Sequence, residues 1–209
     1  MNNRKKGVRE YYDKTAREWA DRWYADDSML PLLRRFMALL PENPRVLDLC
    51  CGAGYESARM AMLGAQVAGI DLSPESIAIA RERNPELVFY VDNMLNDYSY
   101  IGPKDAVVCI AGLVHLPAEQ LRAAFERMDA VLAPGGRLLL VVREGTGRQT
   151  EQSDVVIDGE SYDRAFFAHT QAELTEASAG MFVFEQELAD PEPSLWRNIV
   201  LIKPKCEVC

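Results

Sequence analysis

The stretch "VLDLCCGAGYES", residues 46–57, decides the fold: a strand-length apolar run meets a cluster of small residues and then a segment able to start a helix. Gly52, Ala53 and Gly54 permit a tight turn with no bulky side chain over the backbone, so the first amides of the following helix are free to donate. With the helix dipole behind them, those amides form an anion site. Such a site takes a phosphate, a pyrophosphate or an amino-acid carboxylate. Ser57 stands where G-x-G-x-x-G needs its third glycine, and no G-K-[ST] follows, which argues against a dinucleotide fingerprint and more firmly against a P-loop. Asp48 would repel a pyrophosphate yet pair with an ammonium, so the turn suits an α-amino-acid moiety.

Outward from that turn, short β-branched runs alternate with helical patterns, as in a parallel sheet covered by helices. Strands are predicted at 45–50, 66–71, 87–91, 105–110 and 136–142, with connections long enough for right-handed crossovers, and two more at 181–188 and 195–202. The "ADPEPS" between the last two is too short for a crossover and implies an antiparallel pair. Ser73 and Pro74 cap and open a helix that stops near Asn84 and Pro85. Pro117 opens another, whose Leu121, Ala124, Phe125, Met128 and Leu132 recur at the spacing of a buried face; Ala133, Pro134, Gly135 and Gly136 end it. No repeat or linker divides the chain, so the expectation is one α/β domain with a doubly wound sheet.

Composition narrows the partners. Acids outnumber bases by 32 to 23, a formal charge of -9 that disfavours nucleic acid, since that affinity rests on Lys and Arg neutralising phosphates. The basic cluster of Arg4, Lys5, Lys6 and Arg9 reads as a solvated arm. The charged N-terminal segment lacks a signal-peptide centre and no run reaches membrane-span length, so a soluble, cytoplasmic protein is expected. Five cysteines, with Cys50 and Cys51 adjacent, fit a reducing compartment. The "CEVC" at Cys206–Cys209 has ligand spacing but no matching second pair, so no metal site is expected.

Three acids occupy the carboxyl ends of the first three strands, where open α/β sheets bind ligands. Beyond Asp48, Asp71 is placed to accept hydrogen bonds from both hydroxyls of a ribose. Asp92 can take the exocyclic amine of adenine, while the Asn93 amide meets a ring nitrogen. Each acid alone also fits a helix cap or a surface charge. Amino-acid, ribose and adenine sites in that order describe S-adenosylmethionine.

These residues resemble the class I, seven-stranded S-adenosylmethionine-dependent methyltransferases over about residues 8–203. "VLDLCCGAG" looks like the first motif, "GIDLSPESIAIARE" the ribose motif and "VDNM" the adenine motif; "DAVVCIAGLVHLP" and "MDAVLAPGGRLLLVV" resemble the fourth- and fifth-strand motifs. The resemblance implies strand order 3-2-1-4-5-7-6 with strand seven antiparallel, and cofactor contacts from Cys50, Gly52, Gly54, Leu72, Met94 and Ala111. Cys50 stands where the family usually has glycine, in the "DLCCG" form similar to quinone-biosynthesis and related small-molecule methyltransferases. Residues 1–42 look like the family's helical lid, with Tyr11 or Tyr12 facing the sulfonium and Arg22 reaching the methionine carboxylate. Residues 43–142 form the cofactor-binding core, 143–170 a substrate-side insertion and 171–204 the rest of the sheet. On the helix "YYDKTAREWADRWY", Tyr12, Ala16, Trp19 and Trp23 line one face at helical spacing, which reads as packing apart from the tyrosine that faces the sulfonium.

Methyl transfer from a sulfonium needs the acceptor's lone pair held opposite the departing sulfur, and a base only if the acceptor arrives protonated. His115, in "GLVHLP" after the fourth strand, fits either a base with a near-neutral pKa or a histidine steadying that loop. His169 reads as structural. Tyr162, Phe166 and Phe167 fit an acceptor pocket or the seat of a surface loop. Absence of [ND]-P-P-[YFW] and of a Pro-Cys nucleophile after strand four, with the acidic balance, favours a small-molecule acceptor on a monomer or homodimer. Two alternatives stay open: a nucleotide-binding oxidoreductase, and a cofactor-binding regulatory module without turnover.

Overall fold

The computed structural model describes residues 5–190 and 194–205; Arg4 and Cys206–Cys209 lie outside them. Two N-terminal helices, α1 (Val8–Tyr24) and α2 (Leu30–Met37), precede the alternating core of β1 (Arg45–Leu49), α3 (Tyr55–Met62), β2 (Gln66–Asp71), α4 (Pro74–Arg83), β3 (Val88–Val91), β4 (Lys104–Ile110), α5 (Ala118–Val131) and β5 (Leu132–Arg143). An insertion follows: β6 (Gly147–Arg148), α6 (Thr150–Ser153), β7 (Asp154–Ile157), β8 (Glu160–Asp163) and β9 (Phe167–Ala168). Then come α7 (Gln171–Ser178), β10 (Val183–Glu187) and β11 (Trp196–Ile202).

The main sheet runs β3-β2-β1-β4-β5-β11-β10, parallel as far as β5, with β11 antiparallel to both its neighbours. This is the predicted order. Central strands with both faces covered are apolar throughout, and alternation along β1 assigns each side chain to a layer. Leu47 and Leu49 join Phe125 and Met128 of α5 and Leu174 of α7. Val46 faces the other way, into Leu33 and Phe36 of α2 and Met60 of α3.

Helix signals translate directly. Ser73 Oγ accepts from the Ser76 amide at 3.1 Å with Pro74 in the first turn, and α4 ends against Asn84. Strand β5 departs from expectation by beginning at Leu132: "LAPGG" is drawn into the ladder with β4 through an irregularity that shifts register between Lys104 and Ala106. The residues expected only to end a helix therefore also start a strand.

The insertion makes two small antiparallel ladders, β6–β9 and β7–β8. Asp158 and Gly159 join the second with φ of 50° and 78°, the left-handed pair of a two-residue hairpin. Within the described residues, Lys5 and Lys6 do not form a solvated arm: Lys6 N donates to Ser161 O at 3.0 Å, and the two side chains pair with Asp154 (2.5 Å) and Glu160 (2.6 Å) of the hairpin. Among the described residues no helix is long and apolar enough to cross a membrane.

Candidate active site

The carboxyl ends of β1, β2, β3, β4 and β5 open into one cavity of about 720 Å³, covered on one side by α1. Cys50, Gly52, Asp71, Leu72, Asp92 and Asn93 line it, as do Met94, Ala111 and His115 from the sheet side and Tyr12 and Arg22 from α1. Asp48, Gly54 and Tyr11, expected at the same ligand, do not line it.

Asp48 lies on the Val46 face of β1, so period-2 alternation buries it under α3 rather than at the rim. Its Oδ2 accepts from Ser57 Oγ at 2.6 Å, and burial pushes its pKa up to about 7. It ties the strand to the helix from beneath. Gly54, the α3 N-cap at φ 80°, is there for closeness: a Cβ would stand 2.9 Å from Phe89 and 3.1 Å from Ala80 and Asn84. Tyr11 is buried edge-on against Tyr12 and Tyr162.

Asp71 receives the Gly52 amide on Oδ2 and the Ser73 amide on Oδ1, both at 2.9 Å. Burial raises its pKa, against these amides that favour the charged form. Each oxygen keeps a lone pair for a further donor. Asp92 is fixed likewise by Tyr100 OH (2.7 Å), Asn96 Nδ2 (2.8 Å) and the Asn93 amide (2.8 Å). Partial burial opposes ionisation, but these bonds hold the Asp92 carboxyl below its usual range. Asn93 Oδ1 accepts from Leu95 N, leaving its NH2 available.

The turn itself is tight. Cys50 and Ala111 take φ of 65° and 53° although neither is glycine, the kind of strain that clusters at functional sites. Gly112 makes room for both thiols nearby: a Cβ there would lie 2.7 Å from Cys109 Sγ and 2.8 Å from Cys50 Sγ.

His115 Nδ1 faces the carbonyls of Ala165 (3.0 Å) and Arg164 (3.1 Å), which only accept, so Nδ1 carries the proton. Its Nε2 then accepts from the Tyr12 hydroxyl at 2.9 Å. Burial lowers the imidazole pKa to about 4 and raises that of the Tyr12 phenol to about 12. At neutral pH both groups are uncharged. His115 thus links Tyr12 of α1 to the Arg164 and Ala165 carbonyls of the insertion, and its lowered pKa departs from the near-neutral value expected of a base. His169 is buried, with Nε2 3.1 Å from the Leu113 carbonyl.

Residues that sequence reasoning missed complete the walls. Trp19 and Trp23, read as compatible with packing, line the cavity beside Ala16 and stack at 6.3 Å, with Arg22 above both rings. Arg143, Arg164 and Trp196 also line it; of the aromatic trio in the insertion only Phe166 does. Tyr162 is buried elsewhere, its hydroxyl donating to Glu160. Among the described residues no group of His, Cys, Asp and Glu stands close enough to hold a metal ion.

Residues 46–136 match the family described as "Methyltransferase domain". Curated relatives include the ubiquinone biosynthesis O-methyltransferase of Xanthomonas axonopodis pv. citri, 38% identical over 135 residues covering 58% of this chain and 56% of the relative. That of Xanthomonas campestris pv. campestris (strain B100) is 35% identical with the same coverage. The chain thus spans a little over half the length of these relatives. Similar folds include a TehB-like SAM-dependent methyltransferase from Corynebacterium glutamicum (TM-score 0.72, 18% identity, 93% of this chain and 98% of that one). The magnesium protoporphyrin IX methyltransferase of Synechocystis PCC 6803, solved with SAH, aligns with TM-score 0.69 at 21% identity over 94% and 97% of the two chains.

Proposed function

We propose that this chain, which belongs to the class I S-adenosylmethionine-dependent methyltransferases, moves a methyl group to a small-molecule acceptor by in-line displacement. The observation that carries the reading is that Asp71 and Asp92, at adjoining strand ends, line the same cavity as the hydrogen-bonded Tyr12 and His115. S-adenosylmethionine supplies an electrophilic methyl on a sulfonium. The chain's residues fit it: Asp71, held by two amides, keeps lone pairs for a ribose, and Asp92 with the free Asn93 NH2 meets the adenine edge between Leu72 and Met94. With the Gly52 and Gly54 amides already committed to Asp71 Oδ2 and Cys51 O, Arg22 on the α1 wall takes the carboxylate of the amino-acid end.

Tyr12 faces the reacting centre with its proton committed to His115, so its oxygen presents lone pairs to the cavity. Its contribution is to orient the acceptor and exclude water, and the neutral pair does not serve as a proton sink at pH 7. Residues 1–42 and 143–170 act as the two covers of this site. The relatives named for O-methylation support an oxygen acceptor, and their quinone-pathway name supports a small, ring-bearing one.

The test is incubation with the methyl-labelled cofactor and a panel of small phenols, acids and amines. Label transfer with release of S-adenosylhomocysteine supports the reading. Cofactor binding with no transfer to any acceptor would favour a regulatory module instead.

A further inference from the structure

From the acceptor side of the cavity we infer that the ligand is a small organic anion with a flat apolar body, its charge received by Arg164 with Arg143 in support. The inference deepens the methyltransferase reading and rests on it for the word acceptor.

Arg164 is fixed by its backbone before its side chain does anything. Its N–H donates to Ser153 O at 2.8 Å, its carbonyl and that of Ala165 accept from His115, and Ala165 is held at φ 44°. A non-glycine residue in that region persists only where its surroundings over-determine it. Arg164 lines the cavity, with its guanidinium near the Tyr12 hydroxyl.

What surrounds it is aromatic rather than acidic. The Phe166, Tyr11 and Trp19 rings lie 5.1, 5.4 and 5.9 Å from its central carbon. Its Nε is buried without a hydrogen-bond partner. The nearest acids in sequence are engaged elsewhere: Asp163 with Arg148 at 2.7 Å and, beside Arg143, Glu144 with Arg197 at 2.8 Å. Cation–π contact tolerates a partly buried guanidinium; its sealed Nε is out of reach of a ligand, but among the described residues no acid pairs with its terminal nitrogens, which a carboxylate or phosphate would engage. Arg143 lines the same cavity, and its ladder partner across the sheet is Trp196.

The other charges facing the cavity leave this cation in surplus. Asp71 and Asp92 are at the nucleoside end, and Glu56 and Asp190 are matched by Arg59 and Arg35. Arg22 stands over Trp19 and Trp23, on the α1 wall. Phe166 and Trp196, edge-to-face at 6.2 Å, form an apolar wall beside Arg164. An anionic head on a flat ring meets both features together.

The protein saturated with S-adenosylhomocysteine, which fills the amino-acid end, is titrated with 2-naphthoate, 2-naphthyl phosphate and neutral 2-naphthamide, read by tryptophan fluorescence. The anions should bind at least about tenfold more tightly than the amide, as expected for one charge-assisted pair, and their order tells carboxylate from phosphate. Arg164→Leu should abolish the preference, Arg164→Lys restore part of it, and Arg143→Leu weaken it. Equal binding of all three probes, no binding by any, or a preference that survives in Arg164→Leu overturns the inference. Titration of S-adenosylhomocysteine alone separates the two readings: if it does not bind, the methyltransferase reading fails, while an anion preference lost in Arg164→Leu still upholds the anion site.

Discussion

The Tyr12 hydroxyl and His115 Nε2 meet at 2.9 Å across 103 positions of sequence, joining the first helix to the loop after β4. Because His115 is neutral and Nδ1-protonated, Tyr12→Phe removes an aimed oxygen without unpairing a charge. The turnover rate should fall about a hundredfold with cofactor affinity nearly unchanged. His115→Gln, which can still donate and accept, should retain more activity than His115→Ala. With the histidine pKa near 4, no inflection from it should appear between pH 6 and 8. A rate tracking a group with pKa near 6.5 would contradict this.

Asp48 makes stability pH-dependent in a stated direction. Its folded-state pKa is raised from 3.8 to about 7, so the native state holds the proton more tightly. Its stabilising contribution is complete below the unfolded value and is lost as pH rises through about 7. Asp48→Asn should therefore gain on the wild type as pH rises from 5 to 7, by at most about 1.4 kcal/mol per unit, and no further above that. Urea unfolding at pH 5 and 8 measures the difference; equal values at both would refute it.

Cys50 tests the strained turn. At φ 65°, Cys50→Gly relieves roughly 1–2 kcal/mol of left-handed strain and gives up the packing of one thiol, so stability should move little. Cys50→Val places a β-branched side chain in the same region and should destabilise by about 2 kcal/mol or more. Thermal melts of the two variants decide it.

Arg59 anchors the end of α1. Its guanidinium is buried, pairs with buried Glu56 at 3.1 Å, and donates to the carbonyls of Trp23 (2.8 Å) and Asp26 (2.5 Å). Arg59→Met leaves Glu56 alone and should cost about 3–5 kcal/mol. Arg59→Met with Glu56→Gln should recover part of that loss in denaturant unfolding.

The sheet was legible because its signals are local: β-branched runs, a Ser-Pro helix start, and a connection too short for a crossover. The rim acids Asp71 and Asp92 followed from strand ends alone. Asp48 lies off the cavity because strand position does not give the face; alternation from Val46 puts it under α3. The Asp158-Gly159 pair is a hairpin signal legible in the sequence alone. Arg164 was not readable, since its importance depends on Ser153, His115 and Trp19 converging from distant segments.

The most direct measurement is a calorimetric titration of S-adenosylhomocysteine into the wild type and Asp71→Ala. The account predicts one site per chain in the wild type and affinity about a hundredfold weaker in the variant, since two charge-assisted hydrogen bonds are lost. No binding to the wild type, or equal binding by both proteins, would contradict it.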